Sequence, residues 1–184
     1  SVSPSKTITL RILKYNPSTD NEKKYITYQV PVQKWKTVLE AILDVKKHFD
    51  HSIGVRYSCR QATCGSCGMI INGRPRLACF TKIDELDSDV VTVEPMNNFP
   101  IVRDLAVKFD RMFETHHKLK PFIISDDVEV PPNPKELLQT PEQLEEFVQF
   151  SGCIKCGLCN SVCPTMATDS SFIGPQALAQ AYRY

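Results

Sequence analysis

Eight cysteines fall into two tight groups, and no other feature restricts this chain as much. Cys59, Cys64, Cys67 and Cys79 form the first group, and Cys153, Cys156, Cys159 and Cys163 form the second. The plain alternative is a set of disulfides in a secreted domain. Against it, the 184 residues are enough to build a real core. The opening Ser-Val-Ser-Pro-Ser-Lys shows neither the charged nor the apolar region of an export signal. Steps of two and three residues within one turn also suit a shared metal better than pairwise bridges.

Charge is nearly balanced, 22 basic against 21 acidic side chains, so no basic field points to nucleic acid as a partner. No run of about 20 apolar residues is present to span a bilayer, so any membrane contact is expected to come through a partner.

Cys59-Arg-Gln-Ala-Thr-Cys64-Gly-Ser-Cys67 followed by Cys79 has the C-x4-C-x2-C…C spacing of plant-type 2Fe–2S sites. Four thiolates and two sulfides around two ferric ions leave a net negative cluster, and burying it requires donors. Gly65, Ser66 and Gly68 keep the loop small, so backbone amides are expected to turn toward the sulfurs. A zinc ribbon is the competing reading, but ribbons show two C-x2-C pairs rather than a C-x4-C step and a lone fourth cysteine.

Cys153-Ile-Lys-Cys156-Gly-Leu-Cys159-Asn-Ser-Val-Cys163-Pro164 is C-x2-C-x2-C-x3-C-P, the bacterial ferredoxin run, whose fourth cysteine serves the other cluster in two-cluster proteins. No cysteine follows Cys163. Two readings stand: one cubane held by all four local thiolates, or two clusters completed by residues outside this sequence. The second is favoured, because a fourth cysteine followed by proline normally turns away.

Hydrophobic periodicity frames the two groups. Thr7–Lys14 and Ile26–Val32 alternate as strands and are expected to pair. Thr37-Val-Leu-Glu40 is a capping box ahead of a helix bearing Val38, Leu39, Ile42, Leu43 and Phe49. Asn72-Gly73 marks a hairpin, and Val90, Val91 and Val93 a further strand. These elements make a small α+β domain. Beyond Pro100 the reading is helical: Val102, Leu105, Phe109, Met112 and Phe113 recur at helical spacing up to Pro121. Asp126 to Pro134 reads as a surface loop, and Thr140-Pro141-Glu-Gln143 opens a helix with Leu144, Phe147 and Val148 on its apolar face. Gly174-Pro175 starts a last helix.

At these residues the chain resembles the iron–sulfur subunit of the succinate dehydrogenase/fumarate reductase family. The stretches that carry the resemblance are Tyr57-Ser-Cys-Arg-Gln-Ala-Thr-Cys-Gly-Ser-Cys-Gly-Met, Leu77-Ala-Cys79, Val93-Glu-Pro95, Val102-Arg-Asp-Leu105, Lys120-Pro-Phe-Ile, Phe150-Ser-Gly-Cys-Ile-Lys-Cys-Gly-Leu-Cys, Ile173-Gly-Pro and Ala179-Gln-Ala-Tyr-Arg-Tyr. Ser-Gly-Cys-Ile-Lys-Cys-Gly-Leu-Cys looks more like the fumarate reductase branch. The resemblance implies a β-grasp ferredoxin domain over residues 1–100 and an α-helical ferredoxin domain over 101–184, the latter incomplete. It implies that Cys59, Cys64, Cys67 and Cys79 hold a 2Fe–2S cluster, that Cys153, Cys156 and Cys159 match three ligands of a 4Fe–4S cluster, and that Cys163 matches one ligand of a 3Fe–4S cluster. The family carries a second cysteine run that this sequence lacks, so a truncated form, a processed fragment and the first piece of a split subunit all stay open, the last with a second polypeptide supplying the remaining ligands.

The resemblance further implies an FAD-containing flavoprotein partner, membrane anchor subunits with quinone, and a peripheral place on the cytoplasmic face of the inner membrane, or the matrix side in a mitochondrion. Pro164, Thr165 and Thr168 are candidates for a quinone pocket, weighed evenly against ordinary loop packing. His116 and His117 are expected to be exposed near a helix end. Arg60 and Lys155 are candidates for tuning the clusters, against plain solvent-facing roles. No G-x-G-x-x-G motif is present for a flavin, so dicarboxylate chemistry falls to a partner. The expected function is electron transfer between flavoprotein and quinone in succinate oxidation or fumarate reduction. The alternatives are a related reductase, such as a thiol-dependent fumarate reductase, and a zinc-stabilised module without redox chemistry.

Overall fold

The computed structural model describes residues 6–124 and 138–184, and the loop expected at Asp126 to Pro134 lies outside them. The alternating segments form the long strands β1 (Lys6–Lys14) and β2 (Lys24–Val32), paired antiparallel. Ile8, Leu10 and Ile12 of β1 are fully buried, as period-two alternation requires of one sheet face.

Helix α1 (Val38–His48) starts where Thr37 and Glu40 complete the capping box, and it lays Val38, Leu39, Ala41, Ile42 and Val45 on that face. Strands β3 (Gly68–Ile71) and β4 (Arg74–Leu77) are joined by Asn72 and Gly73, both at positive φ (47° and 74°), the primed turn that matches strand twist. Strand β5 (Val90–Glu94) runs parallel to β1 and antiparallel to β3, giving the order β2-β1-β5-β3-β4. A mixed five-stranded sheet that grips one helix is the β-grasp arrangement expected from the sequence.

Past β5 the expectation of continuous helix fails. Ile101–Arg103 and Ala106–Val107 are the short strands β6 and β7 of a hairpin, and helix α2 begins only at Asp110, running to Lys118. The cause is Asp104. It adopts φ 49° at the hairpin turn, and its carboxylate accepts hydrogen bonds from the amides of Tyr15 (2.9 Å) and Gly54 (2.7 Å). Apolar residues of the turn and of the following helix happen to share a helical period, which imitates one long stripe.

The rest is helical: α3 (Pro141–Ser151), the short α4 (Leu158–Val162) and α5 (Pro164–Thr168), and α6 (Pro175–Arg183). Phe150 of α3 meets Tyr182 of α6 with ring centroids 4.9 Å apart, and Gln180 donates to the Phe150 carbonyl at 3.2 Å. The expected apolar face of α3 stays open, with Leu144 and Val148 43% and 45% exposed.

Asp104 also belongs to a buried ionic knot. Lys14, 8% exposed, lies 3.2 Å from Asp104 and 3.1 Å from Asp50 and donates to Ser52 at 2.8 Å. Tyr28 donates to Asp50 at 3.0 Å, and its burial in this setting raises its pKa to about 12. For Asp50, burial pushes the carboxyl upward, but hydrogen bonds from Ser52, Lys14 and Tyr28 outweigh it and hold the group far below its ordinary 3.8. A depressed carboxyl contributes stability that is complete above the unfolded pKa and is lost as pH falls toward the folded one. Asp104→Ala leaves Lys14 without a buried partner and should cost about 3–5 kcal/mol. Asp50→Asn should melt below the wild type at pH 7, with the gap narrowing below about pH 4. Thermal melts across pH check both.

Candidate iron–sulfur sites

All eight cysteines are free thiols. In the first group Cys67 and Cys79 are buried, Cys59 is half-buried and Cys64 exposed. Cys67 is fixed directly before β3, and Ala78 donates to its carbonyl at 3.1 Å. Cys79 is fixed by α1: the first helical amides, which have no partner inside a helix, donate instead to the loop that carries it. Val38 N–H reaches the Thr81 carbonyl at 2.9 Å and Leu39 N–H the Ala78 carbonyl at 3.0 Å. The first turn of this helix, started by the predicted capping box, thus anchors the segment of the fourth cysteine.

The loop from Cys59 to Cys64 turns its amides onto sulfur. Cys59 receives N–H groups from Gln61 (3.4 Å), Thr63 (3.3 Å) and Cys64 (3.2 Å). Ala62 donates to Cys79 at 3.3 Å, Cys59 to Cys64 at 3.5 Å, and Cys79 to Cys67 at 3.4 Å. These donors are what a negative sulfur cluster needs, so the residues present fit a 2Fe–2S group on chemistry as well as spacing. Among the described residues no three His, Cys, Asp or Glu side chains are placed to share a single metal ion.

Amides turn onto sulfur as expected, and the Ser66 amide and side chain also bond Cys64. None of the N–H···S bonds above comes from Gly65 or Gly68. The turn is made by Arg60 and Ala62, which adopt left-handed φ of 57° and 59°. Nothing in Arg-Gln-Ala-Thr signals such a backbone; it follows from closing the chain around sulfur. The glycines instead make room for the second group. A Cβ on Gly65 would stand 2.8 Å from both Cα and Cβ of Cys156, and one on Gly68 3.2 Å from Leu158 Cδ2. The two cysteine loops touch backbone to backbone at Gly65.

The thiols differ electrostatically. Hydrogen bonds from the Ser66 side chain and from the Cys59 and Ser66 amides lower Cys64 to about 6. Burial raises Cys67 to about 11, so that thiol gives up its proton readily only to a bound cation.

In the second group Cys153 and Cys156 are half-buried, and Cys159 lies within α4. Gly157 caps α4 at φ 77°, where a Cβ would strike Phe109 at 2.9 Å and Phe99 at 3.0 Å. Cys163 ends α4 and begins α5, with Pro164 at the first position of the new helix. Asn160, buried at the centre, accepts from the Gln176 amide at 3.0 Å and ties α4 to α6.

Pro164, Thr165 and Thr168 lie together on α5, and the Thr168 hydroxyl donates back to the carbonyls of Pro164 (3.2 Å) and Thr165 (3.3 Å). A cavity of about 560 Å³ nearby is lined by Asn98, Phe99, Arg111, Asn160, Met166 and Ile173, among others, and by none of those three. His116 corrects its expectation: it is half-buried, 3.2 Å from Gln176 Nε2, and its pKa is lowered by burial and then by the neighbouring Lys155 charge. His117 is exposed as expected. Lys155 lines a cleft of about 170 Å³ with Cys64 and Gly65, and Arg60 lies over the Tyr57 ring at 5.2 Å.

Residues 9–114 match the 2Fe-2S iron-sulfur cluster binding domain family, and residues 147–168 the 4Fe-4S binding domain family. The fumarate reductase iron-sulfur subunit of Haemophilus influenzae is 40% identical over 98% of this chain and 73% of its own length. The chain belongs to the succinate dehydrogenase/fumarate reductase iron–sulfur subunit family. A succinate dehydrogenase iron-sulfur subunit from Coxiella burnetii is 38% identical over 96% of this chain and 74% of its own. In solved structures, a chain of the Mycobacterium smegmatis Sdh1 complex in the apo form superposes with a TM-score of 0.80 at 30% identity, covering 94% of this chain and 72% of that one. As a member of this family of oxidoreductase subunits, the chain carries binding domains for 2Fe–2S and 4Fe–4S clusters.

Two glycines with the same left-handed φ separate backbone strain from crowding. Gly73 has nothing within 4 Å of its would-be Cβ, whereas Gly65 has Cys156. Gly73→Ala should cost about 1–2 kcal/mol. Gly65→Ala should cost more and should also lower the iron retained at the second group, read by melting temperature and iron content.

Proposed function

We propose that this subunit relays single electrons between an FAD-containing flavoprotein and a membrane quinone, in a succinate:quinone oxidoreductase or quinol:fumarate reductase. The supporting observation is the contact of Gly65 with Cys156, which leaves no side chain between the two cysteine loops. Bound clusters would supply one-electron reduction and reoxidation without bond chemistry. The chain's own part is to hold thiolates, to aim amides at them, and to keep the two groups adjacent.

In this reading Cys59, Cys64, Cys67 and Cys79 hold the 2Fe–2S cluster, Cys153, Cys156 and Cys159 are ligands of the 4Fe–4S cluster, and Cys163 is a ligand of a 3Fe–4S cluster. Pro164, Thr165 and Thr168 border the quinone. The β-grasp part, residues 1–100, faces the flavoprotein. Phe80, 72% exposed beside Cys79, and Tyr57, 40% exposed, give that side an apolar rim. The helical part, residues 101–184, faces membrane anchor subunits, which places the protein peripherally on the cytoplasmic face of the inner membrane or on the matrix side. Among the described residues no helix is long and apolar enough to cross a membrane. The flavoprotein partner carries the dicarboxylate chemistry, and a role in the tricarboxylic acid cycle follows when succinate is the donor. Fumarate reductase subunits at 38–40% identity and a succinate dehydrogenase subunit at 38% keep both directions within this reading.

Low-temperature EPR of the purified complex, with succinate and fumarate assays, tests this. Cys79→Ala should abolish the reduced 2Fe–2S signal and succinate–quinone turnover while succinate still reduces the flavin. A colourless, zinc-loaded protein would sink the reading, and turnover with thiols but not quinols would favour the thiol-dependent reductase.

A further inference from the structure

The segment leaving the sheet, from Pro95 to Pro100, touches both cysteine groups without giving a thiol to either. A Cβ on Gly68 would lie 3.4 Å from Met96 Sδ, and one on Gly157 3.0 Å from Phe99. Between them, Asn98 Nδ2 reaches the carbonyls of Asn160 (2.9 Å), Ser161 (3.3 Å) and Cys163 (3.1 Å).

These carbonyls end α4, the five-residue helix Leu158–Val162 that contains Cys159 and is capped by Cys163. The last carbonyls of any helix lack partners within it and carry its negative end. The chain's own answer is weak, since the Cys163 amide meets the Asn160 carbonyl only at 3.4 Å. A carboxamide nitrogen has two protons, enough to serve two of the three carbonyls directly with the third close by. Asn98 itself adopts φ 61°, a left-handed conformation that asparagine, aspartate, histidine and glycine tolerate best. That backbone carries the side chain from the sheet to the second cysteine group.

We propose that Asn98 is a positioning residue for the second cysteine group: it fixes the exit of α4 and so the direction in which Cys163, and behind it Cys159, present their sulfurs. This rests on the reading of those cysteines as cluster ligands. Asn98 touches no sulfur. It acts by holding three carbonyls away from the thiolates they flank, and by tying the second group to the domain that carries the first.

The test uses the assembled complex with variants that all accept the left-handed backbone. Asn98→Gly removes the side chain, Asn98→Asp keeps its shape but replaces donors with a charge that repels carbonyls, and Asn98→His restores one ring N–H. Loss of iron to a chelator, EPR line shapes and midpoint potentials are followed for the second-group centres, with the 2Fe–2S signal as internal reference. Gly and Asp should speed iron loss from the second group by about tenfold or more, Asp more than Gly, and should shift its potentials. His should recover part of the loss, and the 2Fe–2S signal should not change. Unaltered second-group rates and potentials in Gly and Asp, or parallel loss of the 2Fe–2S signal, would overturn the proposal. A wild-type complex without second-group signals would instead overturn the ligand assignment beneath it.

Discussion

Negative charge on sulfur, held where little water reaches, has to be met by N–H groups that are already in place. Few side chains fit so small a space around four thiolates, Ser66 on Cys64 being one, so the backbone supplies most of the donors, and it does so by bending in ways most residues resist. The Cys59–Cys64 loop shows the result: Arg60 and Ala62 held left-handed, and amides from five residues of the loop pointed at the sulfurs of Cys59, Cys64 and Cys79. Such a loop is strained by itself. Its supports are the helix α1 amides that hold the Cys79 segment and the sheet that carries Cys67.

The same demand for backbone proximity governs how the two halves meet. Gly65 and Gly68 bring the first loop against Cys156 and Leu158, while Gly157 admits Phe99 and Phe109 against the start of α4. Each is a place where a methyl group would separate surfaces that have to touch. The ionic knot of Lys14, Asp50 and Asp104 supports this arrangement from a distance, because Asp104 sets the hairpin that leads to Phe109, the N-cap of α2, which lies against Gly157 of the second group. Buried charges of this kind add little stability over an apolar replacement, yet they penalise any arrangement in which one partner is missing.

Much of this was legible in one dimension. The strands of the sheet, the two capping boxes, the Asn72-Gly73 turn and the helix after Gly174-Pro175 obey local rules of period, capping and turn chemistry, and they appear where those rules put them. The helix read from Val102 did not appear, because Asp104 takes its partners, Tyr15 and Gly54, from far away in sequence. The exposure expected of His116 fails for a related reason: its cover, Gln176, lies sixty residues on.

The sequence by itself determined the kind of chemistry. Four thiols at C-x4-C-x2-C…C and four at C-x2-C-x2-C-x3-C-P leave few alternatives to iron–sulfur binding, since ligand spacing is a property of the chain and needs no fold to be read. Only the tertiary structure decided which atoms surround those sulfurs and how the groups stand to one another. Ala62 as an amide donor, Gly65 as a contact with Cys156 and Asn98 as a clamp on α4 all depend on approaches between segments remote in sequence. Those approaches are set by burial and by the satisfaction of polar groups across the whole molecule, which no local pattern of residues records.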